Sequence, residues 1–237
     1  MRAWKNWLVV IIFASAMAWV EAAVVVYLRT LIDRLEPYQT NPLPHSIGLG
    51  QTELVREVAT LVMLGTVGWL AGKTPRSRLG YALVAFGVWD ILYYAWLKLI
   101  CDWPSSLLGW DILFLVPLPW WGPVLAPVLI AGLMIAGGTL VSVWGEAGPR
   151  IWPSRLAWLL NLGGVGLALY VFMADALRAL GVGSPAALRS ALPQAFNRPL
   201  FAVALVLLAA PIVDVGKQIA EGAPRGAGHI ARQMEMK

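Results

Sequence analysis

Cysteine is almost missing from this chain and histidine nearly so, and the two shortages remove whole classes of chemistry. Cys101 is the single cysteine, which excludes an internal disulfide, a CxxC redox pair and a thiolate metal cluster. The 2 histidines, His45 and His229, are too few for a histidine zinc site or a bis-histidine haem. Charge is scarce too. Charged residues make up 13% of the chain and hydrophobic ones 59%, with a mean hydropathy of +0.70. That leaves too little polar surface to cover a water-soluble globule. The motifs GxSxG, HExxH and GxGxxG and the P-loop are also lacking, so no catalytic residue and no cofactor is predicted.

What is present suits a bilayer. The net charge of +5 comes from 18 basic residues against 13 acidic, and the basic ones stand scattered at the ends of apolar runs. They form no stripe of the kind that phosphate binding needs, which excludes nucleic acid as a partner. A positive-inside bias explains them instead. Six apolar runs predict spans at about 7–28, 53–72, 79–100, 122–144, 156–175 and 200–216, near the length needed to cross roughly 30 Å of hydrocarbon at about 1.5 Å per residue. Ala16-Met17-Ala18 has the form of a signal-peptidase site, but the first run continues to Leu28, so an uncleaved anchor is expected. The proline-bearing stretch 33–52 reads as a loop rather than a domain.

The stretch 107–144 is too long for one span and short for two, and Pro117, Pro119, Pro123 and Pro127 break it. The expectation is a re-entrant or interfacial half-helix over 107–121 that leads into the fourth span. Pro211 predicts a kink in the sixth. Residues 217–237 read as a flexible, basic cytoplasmic tail. The predicted fold class is therefore all-α, a polytopic transmembrane helical bundle forming a single domain over 1–216.

With the N-terminus inside, Arg2, Lys5, Lys73, Arg76, Arg78, Arg150, Arg155, Lys217, Arg225, Arg232 and Lys237 fall on the cytoplasmic side, and Arg29, Arg34, Arg56, Lys98, Arg178, Arg189 and Arg198 on the other. That asymmetry predicts both termini in the cytoplasm. Small residues at helical spacing, Ala14, Ala18 and Ala22 in the first span, Gly68 and Gly72 in the second, Gly132 and Ala136 in the fourth, and Gly163, Gly164 and Gly166 in the fifth, predict close helix packing. Most tryptophans lie near predicted span ends, as interfacial belts do.

The informative residues are acids where hydrocarbon is expected, and twice the acid follows a tryptophan in the tetrapeptide Trp-Asp-Ile-Leu, at 89–92 and 110–113. An ionised carboxylate facing lipid costs roughly 2.5 to 3.5 kcal/mol or more, so these side chains are expected to turn inward. Glu21, Glu57, Asp111 and Asp175 are placed at similar depth with Asp90 below them. Glu53 and Glu57 share a helix face with Arg56 beside them. Tyr93 and Tyr94 are placed to lend hydroxyls to Asp90, and Lys98 continues that face. In each Trp-Asp pair the tryptophan is expected to pack or anchor while the acid points into a polar interior. Asp214 reads as a local pair with Lys217. The candidate binding residues are Glu21, Arg56, Glu57, Asp90, Tyr94 and Asp111. They form either an outward-facing pocket for a cation, a proton or a cationic solute, or a set of ion pairs with Arg29, Arg56 and Lys98 that locks the helices together.

At EAAVVVYLR (21–29), REVATLVMLG (56–65) and the stretch from FGVWDILYY to GPVLAP (86–127), the sequence resembles a family of bacterial multi-pass membrane proteins with no assigned activity, over the first half to two-thirds of the chain. The resemblance implies a bacterial inner-membrane address and carries over no catalytic residue. The function expected first is a small transporter-like or ion- and proton-handling protein. The alternatives are a non-catalytic subunit of a membrane complex, with a second copy or another chain as partner, and an intramembrane enzyme acting on a lipid or isoprenoid.

Overall fold

The computed structural model describes residues 2–33, 36, 47–114, 118–144, 152–181, 193 and 195–222. Among them are six long helices: α1 (Arg2–Leu31), α2 (Ile47–Ala71), α3 (Pro75–Cys101), α4 (Leu125–Thr139), α5 (Arg155–Gly181) and α6 (Arg198–Gly222). A π-helical turn, Leu140–Trp144, extends α4. All six are long and apolar enough to cross a membrane. Their outward faces carry large apolar side chains with no cover, Val9, Ile12, Val62, Leu159 and Val206 among them, as lipid-facing surfaces do. The chain is an all-α helical bundle and a multi-pass membrane protein.

Where the structure departs from the sequence reading, local chemistry gives the reason. The described residues of 107–121, which are 107–114 and 118–121, do not form the expected half-helix. The segment enters an antiparallel hairpin, β1 (Trp110–Phe114) against β2 (Trp120–Pro123), with Asp111 opposite Gly122 and a register shift between Ile112 and Phe114. Three prolines within seven residues remove the donors that a helix needs, while Trp, Ile and Phe suit a pleated pair. The hairpin also satisfies its own backbone beyond the strands, through Val124 N–H to Gly109 C=O at 3.0 Å and Leu125 N–H to Leu107 C=O at 2.8 Å. The sixth helix continues past 216 to Gly222, because Val215 stays on the buried face and Gln218 bonds both the carbonyl and the N–H of Trp152. The remainder of the expected tail, 223–237, lies outside the described residues, as does most of the loop 33–52.

The entry to α3 is written in its first residues. Thr74 caps the helix in a reciprocal box with Ser77, and Pro75 occupies the first turn, where its missing N–H costs nothing. Arg78, in the same turn, lies 3.7 Å over the Trp69 ring and donates to the Gly72 carbonyl. This end of the bundle gathers the start of α1 as well: Asn6 donates to the Ala71 carbonyl, Tyr81 to that of Ala3, and Trp7 to the Thr139 hydroxyl.

Helix α3 is the hub, packed against α1, α2 and α4, while α5 pairs with α6 and joins the rest through α6 on α4 and α5 on β2. Close approach uses small residues, as predicted for Ala14, Ala18 and Ala22, all fully buried, and for Gly68, where a Cβ would come within 2.5 Å of Ala82 N. In α4 the working positions are different ones. Gly132 and Ala136 face outward, and the contacts are made by Gly138 against Gly80 and by Ala131 against Gly87. Of the three α5 glycines only Gly164 packs, against Ala204 and Leu208, while Gly163 and Gly166 are open. Pro211 stands inside α6, and Asn161 of α5 donates to the nearby Leu208 carbonyl at 3.3 Å.

Candidate functional site

Each helix around the hub turns one face to a common space, and the spacing of the facing residues is helical throughout. Helix α1 contributes Glu21, Val25, Leu28 and Arg29; α2 contributes Glu53, Arg56, Glu57, Thr60 and Leu61; α3 contributes Phe86, Trp89, Asp90, Tyr93 and Tyr94. Helix α4 adds Pro127, Ile130, Ala131 and Met134, α5 adds Val165, Ala168, Leu169 and Phe172, and the hairpin supplies Asp111 to Phe114 and Trp120. Together they line a cavity of about 600 Å³, within the range of pockets that take a small organic molecule.

All six candidate residues, Glu21, Arg56, Glu57, Asp90, Tyr94 and Asp111, line this cavity. Arg56 pairs with Glu21 across two helices and with Glu53 one turn away, its Nε donating to Glu53 Oε2 at 2.9 Å. Glu21 also accepts from Thr60 Oγ1 at 3.2 Å. Arg29 lies 3.3 Å from Asp111 and 4.2 Å over the Trp103 ring. Asp111, 2% exposed, accepts a second bond at 3.1 Å from the Tyr94 hydroxyl. Its place in β1 explains the strong burial. Strand alternation sends Trp110 to the outside, edge-on to Phe196, and Asp111 inward. Opposite Asp111, Gly122 has no side chain, and a Cβ there would come within 3.0 Å of Phe172, which closes the wall in its place.

Two carboxyl groups stand apart from these pairs. Glu57 and Asp90 have no ion pair among the described residues. Glu57 keeps a buried oxygen without a hydrogen bond, and the buried ring N–H groups of Trp89 and Trp120, both in the wall, also lack a partner there. Five carboxyl groups thus share the space with two guanidinium groups. No group of three or more His, Cys, Asp or Glu side chains among the described residues is arranged to hold a metal ion.

Several placements differ from the sequence reading. Asp175 does not join the cluster and is held by Arg178 at 2.7 Å on its own helix. Tyr94 serves Asp111 rather than Asp90, because the hairpin brings the second Trp-Asp pair within reach of its hydroxyl. Lys98 turns away to Asp102, 2.7 Å off, and its hydrogen bond and charge hold that carboxyl below the usual aspartate range. Among the described residues Asp214 pairs with no lysine; it accepts from Ser154 N–H at 2.6 Å, ahead of α5. In the first Trp-Asp pair both residues face the cavity, the tryptophan packed on Phe86 and Tyr93. Arg29, Glu53, Thr60 and Trp120 belong to the site without having been singled out as binding residues. Arg29 was visible in the spacing, since eight residues after Glu21 is the same helix face.

No family model, no curated protein and no solved structure matches this chain.

Proposed function

We propose that this protein binds a cationic or proton-exchanging solute in the carboxylate cavity and works as a small transporter-like, ion- or proton-handling protein of a bacterial inner membrane. The observation that carries the reading is the pair of carboxyl groups with no ion pair among the described residues, Glu57 and Asp90, in a cavity walled by Phe86, Trp89, Tyr93, Trp120 and Phe172. A buried carboxylate without a counter-ion is costly, so such a group either holds a proton or receives a cation. Aromatic faces add attraction for organic cations, about 0.5 to 2 kcal/mol each. The volume, about 600 Å³, exceeds by far the roughly 30 Å³ share of a single water, which favours an organic cation over a bare ion.

Orientation rests on charge. The end that holds the start of α1, the α2–α3 turn and the start of α5 carries Arg2, Lys5, Lys73, Arg76, Arg78 and Arg155, which supports a cytoplasmic position for it and a periplasmic one for the hairpin.

Glu57→Gln and Asp90→Asn test the reading. Each is expected to leave the folded bundle intact, since neither residue has an ion pair among the described residues, and to weaken binding of tetraethylammonium at least tenfold by isothermal calorimetry in detergent. Unchanged binding in both variants would remove the reading. A second reading, a subunit docked in a larger complex, draws support from the outward small residues Gly132, Ala136, Gly163 and Gly166; a stoichiometric partner retained through mild-detergent purification would favour it.

A further inference from the structure

The cavity is graded along the bundle axis. Its charged groups gather at the hairpin end, where Arg29 meets Asp111 and Arg56 meets Glu21 and Glu53. The opposite end is apolar. Gly87 lies against Ala131 and Ile135, Gly137 against Ile212, and Gly164 against Leu208; these contacts bring Phe86, Met134, Val165 and Leu208 to one level. All four line the cavity, and no charged residue lines it at that level.

The space also opens sideways. Helix α2 packs on α3 and α1, and α5 on α6 and β2, whereas among the described residues α2 and α5 share no more than marginal contact. The lining residues that flank the gap, Leu61 of α2 and Val165 of α5, are 42% and 40% exposed. Both belong to spans, so the gap faces acyl chains rather than water.

We infer that the occupant is an amphiphile with a cationic head and a hydrocarbon tail, which enters from the bilayer between α2 and α5. Its head lies among Glu57, Asp90 and the aromatic wall. Its tail runs down to Phe86, Met134, Val165 and Leu208, in the direction that a lipid of the hairpin-side leaflet already has. This inference rests on the cation-binding reading above and adds the tail and the lateral route.

The test uses the full chain in nanodiscs of zwitterionic lipid and a long-chain trimethylammonium probe with a photoreactive group at the tail end. Saturable labelling at or beside Met134 or Leu208 is expected. An unlabelled dodecyltrimethylammonium competitor should act at least about 100-fold more tightly than tetramethylammonium, a gain equal to three or four buried methylenes. Leu208→Trp, which fills the apolar end, should abolish the labelling while tetramethylammonium still binds, and that binding also certifies the fold of the variant. If tetramethylammonium competes as well as the long chain, the tail assignment is overturned and cation binding stands. If dodecyl sulfate competes equally, the charge selectivity falls, and this inference with it. Absence of saturable labelling, with tetramethylammonium binding retained, overturns the lateral route and the tail together.

Discussion

Arg56 holds Glu21 of α1 and Glu53 of its own helix at once, so its removal leaves two carboxyl groups in the cavity wall without a counter-ion. Breaking a buried pair from one side costs about 3–5 kcal/mol, whereas replacing the whole set by neutral groups is often close to neutral. Arg56→Met is therefore expected to lower the thermal midpoint of the purified protein strongly, and the triple variant Arg56→Met, Glu21→Gln, Glu53→Gln to recover most of the loss. A single variant as stable as the parent would mean that the pairs contribute nothing to the bundle. Five acids occupy one space: Glu21 and Asp111 pair with arginines of other elements, Glu53 shares Arg56 within α2, and Glu57 and Asp90 have no ion pair among the described residues.

The same tetrapeptide, Trp-Asp-Ile-Leu, is helix in α3 and strand in β1, so the local sequence does not decide its own conformation. The prolines decide it, since none lies within α3 after Pro75, whereas Pro117, Pro119 and Pro123 follow the second copy. Run length and hydropathy made all six helices legible. Helical spacing made the cavity faces of α2 and α3 legible too, because residues i, i+3, i+4 and i+7 share a side. What could not be read was which small residues meet a neighbour. Gly132 and Ala136 have the spacing of a packing motif but face outward, while Gly138 and Ala131 do the packing, because the rotation of α4 is set by α3 and not by its own sequence. That difference is measurable. A Cβ at Gly138 would lie 2.5 Å from the Gly80 carbonyl oxygen, and one at Gly132 would meet nothing within 4 Å. Gly138→Ala should destabilise by about 1–3 kcal/mol as overpacked cores do, and Gly132→Ala should be neutral in the same thermal assay. Equal effects would place the α3–α4 contact elsewhere.

The hairpin also governs the whole molecule, because it returns the chain to the end of the bundle where α3 finished. Had residues 107–121 crossed the membrane, every later segment would stand reversed. With the return, α4, α5 and α6 continue the alternation begun by α1, α2 and α3, and the links of Trp152 to Gln218 of α6 and to Arg76 of α3 tie the start of α5 to the same end as the α2–α3 turn. Two exposed positions report on the two ends: Ser105, between α3 and the hairpin, and Lys73, in the turn between α2 and α3. In a Cys101→Ala background, Ser105→Cys is expected to react with a membrane-impermeant maleimide in intact spheroplasts, and Lys73→Cys only after the membrane is permeabilised. The reverse pattern would turn the carboxylate cavity toward the cytoplasm, against the distribution of basic residues. It would also make the amphiphile one of the inner leaflet, since the tail always runs from the charged end of the cavity toward Met134 and Leu208.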